Sequence, residues 1–149
     1  MKLILFDFDD TLINTNKVFR DNINTLKYLL VNETGKSFEE ITEIYKRIHT
    51  QGYEKFHVDF INLWPYILDV LKEELNLNSE TQKKVLELLD KVLKDVPELK
   101  EGVIETLDIL KEKGFTLGLV THALKDWTYF KLESHGLSKY FDHIEIADA

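Results

Sequence analysis

The chain has 149 residues, of which 44% are apolar, so it is long enough and apolar enough to bury a core. Its net charge of −8 argues against nucleic acid and anionic membranes as partners, because both carry negative charge. The sequence has no cysteine, which excludes disulfides, thiolate metal ligands and cysteine nucleophiles. No apolar run reaches membrane-spanning length and the apolar start is too short for a signal peptide, so we expect a cytoplasmic protein.

The first predicted element is a strand at residues 2–6, with the sequence KLILF. A continuous apolar run of this length is typical of a strand that is buried on both faces of a parallel sheet. Asp7 and Asp9 follow it directly, and at strand spacing they point to the same side while Phe8 turns away. Because α/β sheets bind ligands at the carboxyl ends of their strands, a catalytic group is expected here.

A helical region is predicted next, and its first two helices are bounded by glycines. Apolar residues recur at three- and four-residue spacing through the first helix until Gly35 closes it. The second helix begins at Ser37, where Glu40 completes a capping box, and Gly52 marks its end.

Two further helices complete this region, and the first of them contains a proline. Residues 53–75 carry an apolar stripe, but Pro65 removes an amide donor and clashes with the preceding turn. A kink or a break is therefore expected near Trp64. Ser79 opens the fourth helix, which ends at Pro97.

After the helical region the pattern changes to helix, strand, helix, strand, at residues 103–113, 115–121, 124–135 and 143–147. Such alternation predicts right-handed βαβ units and a parallel sheet with helices on its faces. The predicted fold class is therefore α/β, with a Rossmann-like parallel three-layer core and an inserted all-helical subdomain. The core is assigned to residues 1–13 and 98–149, and the insertion to residues 14–97.

The acids after the first strand allow two interpretations. Asp7 and Asp9 can divide labour, one as an ionised nucleophile and the other as a general acid and base. Alternatively, the acids decorate a strand-to-loop turn, with Asp10 and Thr11 as turn or helix-cap residues. The string FDFDDTL closely resembles the DxDxT signature that opens the haloacid dehalogenase-like (HAD) superfamily.

That resemblance implies a role for each acid. Asp7 would be the nucleophile that forms an aspartyl-phosphate, and Asp9 would protonate the leaving group and then activate water. Both would be ligands of Mg²⁺, Asp9 through its backbone carbonyl, since a hard cation screens the repulsion between a carboxylate and a phosphoryl group. The helical insertion resembles the family's cap, which closes over the active site and selects the leaving group.

A second resemblance lies in the stretch LGLVT, which ends at Thr121. In the family this hydroxyl and the following amide donate hydrogen bonds to the phosphoryl oxygens. His122, in the loop after the strand, is a candidate substrate contact, although a histidine there is more often a structural hydrogen-bonding group. The other four histidines show no metal-ligand spacing.

The resemblance extends to the end of the chain, but two later family motifs, a lysine and a strand ending in acids, are not in the sequence. Lys125 and Lys131, on the helix after Thr121, are expected to be solvent-facing, with Lys125 as the candidate substitute for the family's lysine. A later strand of the family lies beside the first one, so KLILF is expected to form an exposed apolar edge. We expect self-association or a complementing chain at that edge.

The resemblance favours a Mg²⁺-dependent HAD-type phosphohydrolase that acts on a small phosphorylated metabolite. A phosphomutase is an alternative, and a haloacid dehalogenase is less favoured because cleavage of a carbon–halogen bond needs no acid at Asp9. The missing motifs also leave open a catalytically impaired fragment, or a non-enzymatic protein that binds a phosphometabolite or a partner.

Overall fold

A computed structural model describes residues 2–147 of the chain. These residues form three strands, six α-helices and one short 3₁₀ helix. In chain order they are β1 (Leu3–Phe6), α1 (Thr15–Thr34), α2 (Phe38–Phe56), α3 (Phe60–Leu75), α4 (Ser79–Lys94), α5 (Val103–Glu112), β2 (Thr116–His122), α6 (Lys125–Ser134), the 3₁₀ helix (Ser138–Tyr140) and β3 (His143–Ala147).

The three strands form a parallel sheet in the order β1-β2-β3. Phe6 lies opposite Leu119 in the first pair, and Thr121 lies opposite Ile146 in the second. This sheet, with its connecting helices, confirms the predicted α/β fold class. Because the strands are parallel, the loops that follow β1 and β2 leave the sheet at the same edge.

The chain divides into two compact units. We call Met1–Val18 with Val96–Ala149 the α/β unit, and Phe19–Asp95 the helical unit. The assignment of the helices as a cap stays a prediction. In every part of the chain that the structure describes, the helices are too short or too polar to traverse a bilayer.

One face of the sheet carries the core of the α/β unit. Leu117 and Leu119 of β2 are fully buried there, together with Leu107 of α5 and Leu132 of α6. Phe8, from the loop after β1, is also fully buried in this cluster. Burial of one such side chain stabilises the fold by roughly 1.5–3 kcal/mol, so this cluster anchors both helices and the loop.

The prediction that the first strand is buried on both faces was wrong. Leu3 and Leu5 are 51% and 60% exposed, and Val120 on the neighbouring strand is 45% exposed. The reason is that α5 and α6 contribute to the same core cluster, so within residues 2–147 they cover one face of the sheet. Gly118 lies beneath Leu5, where an added Cβ would come within 2.6 Å of the leucine Cδ2.

The helical unit differs from the prediction at Gly52, which does not end α2. The helix continues to Phe56, and Gly52 is buried within it. An added Cβ would lie 2.6 Å from Leu63 Cδ1 and 2.9 Å from Tyr66 Cδ1. The glycine therefore permits close packing of α2 against α3 rather than terminating a helix.

Of the kink or break expected near Trp64, the break is absent, because Pro65 lies inside the continuous helix α3, and the kink stays a prediction. The break falls earlier, at His57, which has a positive φ of 50°, and Asp59 caps the start of α3. A proline costs a helix interior about 3 kcal/mol. Leu63 and Ile67 are fully buried on either side of it, and burial of such side chains at roughly 1.5–3 kcal/mol each outweighs that cost.

The predicted helix starts are confirmed, with Ser37 as the cap of α2 and Ser79 as the first residue of α4. Ser37 Oγ accepts a hydrogen bond from the Glu40 amide at 3.2 Å, and a Glu40 carboxylate oxygen accepts one from the Ser37 amide at 2.8 Å, which confirms the capping box. At α4 the cap is Asn78 rather than Ser79, since Asn78 Oδ1 accepts a hydrogen bond from the Thr81 amide at 2.9 Å.

Candidate active site

The loop after β1 is held by the buried ring of Phe8. The Phe8 carbonyl accepts hydrogen bonds from the amides of Thr11 at 3.2 Å and Leu12 at 2.9 Å, which closes a tight turn. Asp10 lies in this turn with a positive φ of 58°. The acids on either side of Phe8 are therefore presented by a rigid turn and not by a free loop.

Asp7 is exposed and lies one residue beyond the end of β1. Its Oδ1 accepts a hydrogen bond from the Phe8 amide at 2.8 Å. Its Oδ2 lies 3.4 Å from the Thr11 hydroxyl, a long and weak contact. The carboxylate is thus oriented by one strong local bond while its second oxygen stays available to an incoming electrophile.

Asp9 is in a different environment from Asp7. Its side chain is 24% exposed, and its Oδ1 accepts a hydrogen bond from the hydroxyl of Thr15, the first residue of α1, at 2.5 Å. The same oxygen forms an ion pair with the ammonium of Lys131. Two carboxylates that are close in sequence thus differ in exposure and in partners, as expected where two acids have separate tasks.

Asp10 has a structural role. Its Oδ1 accepts a hydrogen bond from the Asn16 amide at 2.9 Å, in the first turn of α1. This contact satisfies an amide that has no partner within the helix. The helix-cap interpretation therefore holds for Asp10.

The expectation that Lys131 faces solvent was wrong, although Lys125 is exposed as expected. The Lys131 side chain is fully buried, with its Nζ 3.7 Å from the centroid of the Trp127 ring and 5.3 Å from that of Phe8. Burial lowers the pKa of Lys131, and the carboxylate of Asp9 opposes that shift most strongly.

A local signal for this placement exists in the sequence. Lys131 follows Trp127 by four residues and precedes Leu132, so it falls on the apolar face of α6 together with Thr128. A lysine on such a face is stable only when a carboxylate meets it, and Asp9 is the partner. Sequence spacing does not reveal this partner, because it is 122 positions away.

Thr121 and His122 are the last two residues of β2. Thr121 is 4% exposed and lies on the same strand face as Leu119, whereas His122 is exposed. His122 thus belongs to the strand rather than to the loop where it was expected, and alternation along β2 directs it away from the Thr121 face. Since Phe6 is level with Leu119, Asp7 and Thr121 leave the sheet at the same edge on adjacent strands.

The oxygen atoms near Asp7 suit a hard cation in part. No group of three or more His, Asp or Glu side chains within residues 2–147 is arranged to hold a metal ion. The Asp7 carboxylate and the Asp9 backbone carbonyl are nevertheless the oxygen donors that Mg²⁺ prefers, and Mg²⁺ commonly completes its shell with water and substrate phosphate. These donors fit an open Mg²⁺ site rather than a closed protein cage.

Comparisons with known proteins place the chain among hydrolases. A model of the haloacid dehalogenase-like hydrolase family matches residues 1–149. The chain is 30% identical over 146 residues to the pyrophosphatase PpaX of Bacillus pumilus, covering 97% of this chain and 59% of that protein. It is 26% identical over 161 residues to the glyceraldehyde 3-phosphate phosphatase of Pyrococcus furiosus, covering 99% and 60%.

The fold is shared with solved structures. A haloacid dehalogenase-like family hydrolase from Xanthomonas campestris matches with a TM-score of 0.81 and 20% sequence identity, over 98% of this chain and 61% of that one. The chain therefore spans about 60% of the length of the curated relatives that it matches.

Proposed function

The chain belongs to the haloacid dehalogenase-like hydrolase family, and from this we propose that it is a cytoplasmic phosphohydrolase that cleaves a small phosphate ester through an aspartyl-phosphate on Asp7. Two of the relatives, a pyrophosphatase and a glyceraldehyde 3-phosphate phosphatase, support a phosphorylated substrate. A small phosphorylated metabolite is the proposed substrate class.

The observation that carries this proposal is the difference between the two acids after β1. Asp7 is exposed and is held by a local backbone hydrogen bond, which suits an ionised nucleophile. Asp9 is largely buried and has one oxygen engaged by Lys131 and Thr15, which suits a group that exchanges a proton in a fixed position.

In the proposed first step, an Asp7 carboxylate oxygen forms a bond to phosphorus while the bond from phosphorus to the leaving oxygen breaks. Asp9 donates a proton to that leaving oxygen. In the second step Asp9 accepts a proton from water, the water oxygen attacks phosphorus, and the bond from phosphorus to Asp7 breaks. Inorganic phosphate is released and both carboxyl groups return to their starting forms.

Other residues have supporting roles in this proposal. Thr121 would donate a hydrogen bond to a phosphoryl oxygen, and His122, on the opposite face at the end of β2, would contact a different part of the substrate. Asp7 and the backbone carbonyl of Asp9 would hold Mg²⁺, which when bound would offset the negative charge that the nucleophile and the phosphoryl group share.

A second candidate function is binding of a phosphometabolite without turnover. A haloacid dehalogenase is less consistent with the site, because cleavage of a carbon–halogen bond does not require Asp9 to exchange a proton.

The test compares the chain with its Asp7→Asn variant, using 4-nitrophenyl phosphate with and without Mg²⁺. We expect hydrolysis and an acid-stable mass increase of one phosphoryl group on the peptide that contains Asp7, both lost in the variant and both dependent on Mg²⁺. Asp69→Asn is the matched control, since Asp69 is exposed and pairs with Lys72 on the surface. Equal activity in the chain and in Asp7→Asn would refute the proposal, and phosphate-ester binding without hydrolysis would favour the second candidate.

A further inference from the structure

We propose that Lys131 is a positioning residue for Asp9, which holds the Oδ1 atom of that carboxylate and so assigns proton exchange to Oδ2. This inference rests on the proposed function, because it assumes that Asp9 transfers a proton. It concerns a residue of α6 and is separate from the roles of Asp7 and Thr121.

The contacts of Asp9 are one-sided. Lys131 Nζ and the Thr15 hydroxyl both donate to Oδ1. Within residues 2–147, Asp9 Oδ2 accepts no hydrogen bond, and the Asp9 side chain is 24% exposed. A carboxylate held in this way has one engaged oxygen and one reachable oxygen, and a transferable proton belongs on the reachable one.

Lys131 is constrained to keep this contact. Its side chain is fully buried, so the ammonium has no path to solvent. The Trp127 ring lies 3.7 Å from Nζ and the Phe8 ring lies 5.3 Å from it, so two aromatic faces bracket the cation beside the carboxylate. A buried ammonium that lost this acceptor would be unstable, so the contact through Oδ1 persists in the fold whether or not Oδ2 carries a proton.

Phe8 connects this contact to the catalytic loop. Its ring lies against the ammonium, while its amide donates to Asp7 Oδ1. The same residue thus orients the nucleophile and supports the cation that orients the acid. Replacement of Lys131 should therefore disturb Asp9 first, because the backbone bond to Asp7 does not involve the lysine.

The kinetic test uses two substrates with different leaving groups. Nitrophenolate departs without a proton, whereas an alkoxide needs one, so faulty placement of Asp9 slows an alkyl phosphate far more than an aryl phosphate. For Lys131→Met we expect kcat/KM for glycerol 1-phosphate to fall roughly 100-fold more than kcat/KM for 4-nitrophenyl phosphate. The control is Lys113→Met, which changes an exposed lysine directly after α5, near the start of β2 and away from Thr121. It should leave both values unchanged. Equal losses on the two substrates, or no loss, would overturn the proposal.

A structural readout separates this inference from the proposed function. If Asp7→Asn retains full activity, the proposed mechanism fails, but crystal structures of the chain and of Lys131→Met still test the contact. The Asp9 carboxylate should rotate away from its present orientation in Lys131→Met, and an unchanged orientation would reject the positioning role. If Lys131→Met does not fold, Lys131→Leu, which also removes both the charge and the donor, takes its place in both measurements.

Discussion

Lys131 of α6 and Asp9 of the loop after β1 form an ion pair across 122 positions of sequence, with the lysine fully buried and the aspartate 24% exposed. The pair fixes the middle of α6 to the loop that carries the candidate nucleophile. An acid next to a proposed catalytic centre is thus held by the folded α/β unit rather than by its own loop alone.

The ion pair leads to a prediction about stability. Lys131→Ala removes the partner of a largely buried carboxylate and leaves a cavity beside Trp127, so we expect a loss of about 3 kcal/mol in the free energy of unfolding. Lys131→Met should cost less, because methionine fills the same space and only the loss of the Asp9 partner remains. Urea unfolding followed by circular dichroism measures both, and an equal loss in the two variants would contradict this account.

Gly52 permits a prediction that runs against helix propensity. Alanine is more favourable than glycine in a helix interior by roughly 0.8–1 kcal/mol, so Gly52→Ala would ordinarily stabilise α2. Here the new Cβ would lie 2.6 Å from Leu63 Cδ1, and overpacking of this kind costs about 1–3 kcal/mol. We expect a lower thermal midpoint for Gly52→Ala and little change for Thr50→Ala, an exposed position on the same helix. A stabilised Gly52→Ala would show that α2 and α3 can separate without cost.

The exposed face of the sheet predicts self-association of this chain. Leu3, Leu5 and Val120 form an apolar surface, and β1 has no partner strand on its outer side within residues 2–147. We propose that a second copy of the chain covers this surface, because a contiguous exposed apolar patch favours association with another protein surface. Light scattering after size-exclusion chromatography should show dimers at high concentration and monomers for Leu5→Lys. Ile109→Lys, which changes an exposed apolar residue on α5, is the control, and a concentration-independent monomer would exclude the idea.

Asp142 predicts a dependence of stability on pH. Its Oδ2 accepts a hydrogen bond from the Leu117 amide at 2.9 Å, and its carboxylate pairs with Lys111, which together hold its pKa below the ordinary value for aspartate. A depressed pKa contributes stability above the pKa of the unfolded chain, and this contribution is lost as the pH falls through the folded pKa. Asp142→Asn should therefore unfold more easily than the chain at pH 7, and the difference should shrink below pH 4. A difference that stays constant down to pH 2 would contradict this.

The features that the sequence by itself determined are local ones. The capping box at Ser37, the alternation of helices and strands after residue 102, and the acids that follow the first strand all depend on residues within one or two turns of each other. Short-range hydrogen bonds and the periods of helices and strands set these patterns, and the α/β class follows from them.

Only the tertiary structure decided which faces of those elements meet. Leu5 is exposed and Lys131 is buried, which inverts the usual preference of each residue type. Gly52 lies inside a helix because it packs against α3. In each case contacts made by the folded chain, and not local propensity, set the outcome. The ion pair between Lys131 and Asp9 is of the same kind. This ion pair forms because α6 and the loop after β1 pack into the same core, and the spacing of residues along the chain does not predict that contact.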